Sequence, residues 1–75
     1  MITFAARFHN LRTEVKETLV LVSNATRISP GLLATYESGK TVPGYWNLLE
    51  LARHFNVSLD YLTCITEERK EYPRV

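Results

Sequence analysis

Apolar positions recur with helical rather than alternating spacing along most of the chain. Phe4, Phe8, Leu11 and Val15 are separated by four, three and four residues. That spacing lines them on one stripe of an amphipathic helix over about Ile2 to Lys16. Thr18 is suited to cap a second helix over residues 18–25, with Val22 and the small Ser23 facing inward. The run Leu19-Val20-Leu21-Val22 taken alone has strand character, and length and context decide for a helix. Ser29 as N-cap, with Pro30 at the first helical position where its missing N–H costs nothing, predicts a third helix over residues 29–38. Gly39 supplies its left-handed stop, and Lys40 to Pro43 form a loop. Leu48, Leu49, Leu51, Ala52 and Phe55 then repeat at helical spacing over Tyr45 to Phe55, which Asn56 ends. Ser58 caps a fifth helix holding Leu59, Tyr61, Leu62 and Ile65. The expected fold class is all-α, a five-helix domain over residues 1–65 followed by a charged tail over 66–75. In that tail EERKE reads as a solvated helix face, and Pro73 ends any helix.

Composition narrows the function classes. A hydrophobic share of 45% and a charged share of 23% are those of an ordinary soluble domain. No apolar run approaches the roughly 18 residues that span a bilayer, and Met1 to Arg12 carries charges where a signal peptide has its apolar core, so a cytoplasmic location without membrane contact is expected. Cys64 is the only cysteine, which rules out an internal disulfide. His9 and His54 stand apart, with no neighbours at metal-ligand spacing, so no metal or other cofactor is expected. Nor is there a glycine-rich phosphate loop or a nucleophile with a base, and an enzyme is not expected. The net charge of +1 does not by itself announce nucleic acid, since residues 1–62 carry six Lys or Arg against five Asp or Glu. Any attraction to DNA must come from local arrangement.

Two short helices joined by a tight turn, the second well capped, make a unit that fits the roughly 12 Å wide major groove. The same hairpin is also simply a way to pack a small domain. The segments FHNLR (Phe8 to Arg12), ISPGLLATYESGK (Ile28 to Lys40) and VPGYWNLLELARHFNVSLDYL (Val42 to Leu62) carry more information. Across about residues 4 to 62 they resemble the Cro/cI repressor, or XRE, helix-turn-helix family. The most specific parts are Tyr36-Glu37-x-Gly39-Lys40, Pro43, Leu48-Leu49-x-Leu51-Ala52 and Val57-Ser58-Leu59-Asp60-x-Leu62, in the family's order and spacing.

The resemblance implies a lambda-repressor-like, Cro-type helix-turn-helix domain whose third helix is the recognition helix. It places Ser29, Pro30, Gly31 and Thr35 near bases or adjacent phosphates, and Gly39, Lys40 and Thr41 against the phosphate backbone. Thr18 and Leu19 would open a second helix aimed at another phosphate by its N–H groups. Arg12 and Glu37 match a pair that joins the first and third helices in the family. The implied function is a DNA-binding transcriptional regulator that acts on double-stranded DNA as a homodimer.

The front half of the motif departs from that pattern. Leu19 stands in place of a common Gln, Arg27 in place of the turn glycine, and Thr26 and Glu17 in place of apolar residues. The recognition surface offers no Gln, Asn, Arg or Lys for bidentate base contacts. Readout then falls to Thr35, to apolar contact of Pro30 or Leu32 with thymine methyls, to Arg27 beside the groove, or to DNA shape. One of Tyr45 and Trp46 should point inward and leave the other outside. Leu19, Val20, Tyr45, Trp46, Leu59, Tyr61, Leu62 and Ile65 are therefore candidates for a partner interface as well as for the core. The alternative function is a protein-binding helix-turn-helix, such as an antirepressor that sequesters another helix-turn-helix protein, or an antitoxin.

Overall fold

A computed structural model describes residues 2–73 and contains five helices: α1 (Phe4–Glu14), α2 (Leu19–Thr26), α3 (Pro30–Ser38), α4 (Tyr45–Phe55) and α5 (Leu59–Leu62). No strand occurs among the described residues, so the all-α class is borne out. Four helix starts have the same chemistry: the hydroxyls of Thr3, Thr18, Ser29 and Ser58 accept from the backbone N–H of Ala6, Leu21, Leu32 and Tyr61. The strand-like run LVLV is helical because Thr18 caps it and because Val22 and Thr26, one turn apart, both face the core.

Phe8, Val22, Leu33, Leu51, Val57 and Leu62 fill the centre, with Phe4 and Phe55 at its edge. The Phe8 ring lies 6.0 Å from both Phe4 and Phe55, which ties α1 to α4. α3 packs on α1 and α2, and α4 on α2 and α5. The helix-turn-helix thus rests on a platform made by the rest of the chain.

Four expectations are corrected. Helix α1 is shorter than Ile2 to Lys16, because Lys16 adopts a left-handed conformation (φ 59°) that turns the chain away. Val15 is therefore 52% exposed and leaves the inward stripe. Neither Tyr45 nor Trp46 points inward: in the first turn of α4 Leu48 packs on the core and Asn47 turns its amide to donate to the buried Tyr36 hydroxyl at 2.9 Å. The two rings instead stand outside, edge to face with centroids 5.1 Å apart. Leu62 is wholly buried in the core of the single chain and has no face to offer a partner.

The last correction concerns the tail, which is an extended strap and not a helix face. Cys64 (φ 68°) ends α5 before Ile65. The chain then returns so that the Lys70 carbonyl accepts from Ser58 N–H at 2.9 Å, and the Tyr72 N–H donates to Asn56 Oδ1 at 3.3 Å. Arg69 makes two bonds to the Glu14 carboxylate, at 2.9 and 3.0 Å. The tail residues Arg74 and Val75 lie outside the described residues, as does Met1.

Candidate nucleic-acid interface

The first turn of α3 is open to solvent. Ser29, Pro30, Gly31 and Leu32 are all exposed, while Leu33 and Tyr36 one step further are buried. A Cβ placed on Gly31 would meet nothing within 4 Å, so no packing inside the domain requires glycine there. Ser29 uses its hydroxyl as an acceptor from Leu32 N–H at 3.2 Å. Thr35 donates to the Leu32 carbonyl at 2.7 Å, and its oxygen lies 2.7 Å from the Thr41 hydroxyl, which pins the loop after α3 to the helix.

That loop begins with Gly39 at φ 81°, a left-handed stop that glycine adopts without a Cβ clash. Its geometry lets Lys40 N–H and Thr41 N–H both donate to the Thr35 carbonyl, at 3.0 and 3.3 Å. Lys40 and Thr41 are exposed just beyond it. At the other end of the hairpin Thr18 is exposed and caps α2, Leu19 is half-buried, and Val20 and Leu21 face solvent. Arg27 closes α2 in the left-handed region (φ 63°, ψ 20°), where the resemblance expects glycine.

The angle of α3 is held from behind. Arg12 Nε and Nη2 donate to the two oxygens of Glu37 at 2.7 and 2.9 Å, and Arg12 Nη1 donates to the Glu17 carbonyl at 2.8 Å. One guanidinium therefore joins α1, α3 and the segment before α2. The hydrogen bonds from Arg12, opposed by burial, hold the Glu37 carboxyl below the usual glutamate range, and Glu37 raises Arg12 in return. His9 Nδ1 lies 3.4 Å from the same carboxylate.

Two departures from the family pattern have local explanations. The Glu17 carboxylate is within hydrogen-bonding distance of His54 Nε2 of α4, so a polar side chain at that position has a partner across the domain. Thr26 is buried, but its hydroxyl donates to the Val22 carbonyl at 2.8 Å and accepts from Ile28 N–H at 3.3 Å, which satisfies it.

Arg7 is a structural residue that the sequence pattern does not reveal. It is buried, its Nη1 donates to the carbonyls of Tyr61 and Thr66 at 2.7 and 2.9 Å, and its guanidinium carbon lies 4.0 Å from the centre of the Tyr61 ring. Its partners are 54 and 59 residues away, beyond the reach of any local signal. The remaining candidates separate by exposure. Tyr45, Trp46 and Ile65 face solvent, whereas Leu59 and Tyr61 are half-buried against the core. Among the described residues no group of three or more His, Cys, Asp or Glu could hold a metal ion, and no helix is long and apolar enough to cross a membrane.

No family model matches the chain, and no curated protein matches it. Among solved structures it is similar to the P22 c2 repressor protein, crystallised in complex with synthetic operator 9T in the presence of Tl+. The TM-score is 0.79 at 24% sequence identity, over 83% of this chain and 94% of that one. The five-helix fold of this chain is thus the fold of that repressor domain.

Proposed function

We propose that this domain is a sequence-specific DNA-binding transcriptional regulator that lays α3 in the major groove and acts as a cytoplasmic homodimer. The observation that carries the reading is the charge distribution around an exposed helix-turn-helix. Between Thr18 and Leu49 the only carboxylate is Glu37, and it is locked onto Arg12. Arg27 and Lys40, in the same stretch, are exposed and have no carboxylate partner among the described residues. A polyanion approaching this face meets two cations and no free negative side chain. The fold shared with a repressor that was crystallised on an operator supports the same reading.

In this reading Ser29, Pro30, Gly31 and Thr35 face the bases, and Arg27 stands at the groove edge. Gly39, Lys40 and Thr41, together with Thr18 and Leu19 at the start of α2, meet phosphates. Gel shifts on DNA from upstream of the chain's own gene, repeated over a salt series, test it. Binding that falls steeply with salt is expected, and Lys40→Ala should weaken all sequences alike while flattening the slope by about one unit. A domain that retains no DNA at low salt overturns the reading.

A second reading is favoured by a specific observation: Val20, Leu21, Tyr45 and Trp46 are more than half exposed, as anchors for a protein partner are before binding. The domain then acts as an antirepressor or antitoxin. Stoichiometric capture of another helix-turn-helix protein, with no DNA retained, distinguishes it.

A further inference from the structure

Resting on the DNA-binding reading, we infer that this domain recognises thymine through its 5-methyl group, by apolar contact with the first turn of α3. Hydrogen bonds to base edges play little part. Few side-chain hydrogen-bonding protons of α3 are free. From the cap to Thr35 its exposed or half-exposed positions are Ser29, Pro30, Gly31, Leu32, Ala34 and Thr35. None carries an amide, guanidinium, ammonium or carboxylate, the groups that make bidentate contacts to adenine, guanine or cytosine.

The hydroxyls are largely spent as well. Thr35 gives its proton to the Leu32 carbonyl, so the proton in the 2.7 Å contact between Thr35 and Thr41 comes from Thr41. Ser38, at the far end of the helix, donates to the Thr35 carbonyl at 3.1 Å. Among the exposed side chains of the first turn Ser29 alone keeps an uncommitted hydroxyl proton, since its oxygen acts as acceptor in the cap. What the face presents is the Pro30 ring and the Leu32 side chain on either side of Gly31, where no side chain rises and a Cβ would meet nothing within 4 Å. Of the four base pairs, only those with thymine put an apolar group in the major groove. Apolar side chains flanking an open Gly31 suit a methyl group, and beyond the Ser29 hydroxyl no side chain of this turn has a proton to give a polar base edge.

The test selects binding sites from a random duplex library with the full chain. Each thymidine of the selected consensus is then replaced in turn by deoxyuridine, which removes the methyl and keeps every hydrogen-bonding group. Removal of one contacted methyl should weaken binding about fourfold, and a symmetric pair about fifteenfold. Thymidines outside the consensus should tolerate the change. Gly31→Ala should melt no lower than the parent, because the added carbon meets no clash, yet lose its discrimination between thymidine and deoxyuridine. A defined consensus bound equally well with deoxyuridine throughout overturns the inference and leaves DNA binding intact. Failure to enrich any sequence, with no retention even at low salt, removes the DNA-binding reading and the inference with it.

Discussion

Arg27 holds a backbone conformation that favours glycine, at φ 63° and ψ 20°. A non-glycine residue there costs on the order of 1 kcal/mol, a strain that a turn selected only for stability would not retain. Arg27→Gly should therefore raise the urea midpoint, by about 0.5–1 kcal/mol of stability with an unchanged slope, while weakening DNA binding through loss of the charge. A lower midpoint would mean that the arginine side chain contributes more than its backbone costs. Glu37 makes the opposite case, a residue kept for architecture. Its folded-state acidity is strengthened chiefly by the hydrogen bonds from Arg12. The stability it contributes is complete above the usual glutamate range and is lost as pH falls through its lowered folded value. Glu37→Gln should cost about 2 kcal/mol at neutral pH, since both partners are mostly buried, and the gap to the parent should close in acid. Urea midpoints for both proteins at pH 7 and in acid decide this, and a gap that does not narrow removes the ion pair as the cause.

Helix starts were legible because their chemistry is local. A hydroxyl three residues before an N–H is written in the sequence, and Thr18, Ser29 and Ser58 all cap as their positions imply. The Gly39 and Asn56 stops are local for the same reason. Illegible features depend on partners far along the chain. Helical spacing cannot say that Asn47 turns its amide inward while Tyr45 and Trp46 stay outside, because the Tyr36 hydroxyl that rewards it belongs to another helix. The strap is a further case, since its charged and exposed sequence reads as a helix face until Glu14, Ser58 and Asn56 are brought beside it. Its contribution should be modest. The Arg69 to Glu14 pair is about half exposed, so Arg69→Ala should cost only about 0.5–1 kcal/mol. The effect should be confined: the Ser58 amide, bonded to Lys70, should exchange faster, while amides of α3 and α4 keep their protection. Equal acceleration throughout would make the strap part of the cooperative core. On the candidate site, the exposed first turn of α3 was open to sequence reading, whereas the commitment of its hydroxyls to the helix and loop was not.

Over the whole molecule the charges are sorted along the chain. Five of the eight carboxylates fall between Glu50 and Glu71, after the helix-turn-helix. This bears on the proposed homodimer, because a two-fold contact through α5 and its neighbours would bring Asp60 and the Glu67-Glu68 pair of one copy toward those of the other. Ile65 is the apolar residue there that the single chain leaves uncovered, at 76% exposure, while Leu59 and Tyr61 are half-covered and Leu62 is spent in the core. Self-association through this end should therefore strengthen with salt, as repulsion between carboxylates is screened. DNA binding should weaken with salt over the same range. Ile65→Glu separates the two effects without disturbing the fold, since an exposed side chain contributes little to folding. The variant should melt with the parent, sediment as a monomer where the parent is dimeric, and bind an operator of two half-sites about as weakly as a single half-site. Two half-sites one helical turn apart, about 34 Å, give the geometry in which the difference is largest. If the parent and Ile65→Glu sediment alike at every salt concentration and bind the double site equally, the two-fold contact does not run through α5.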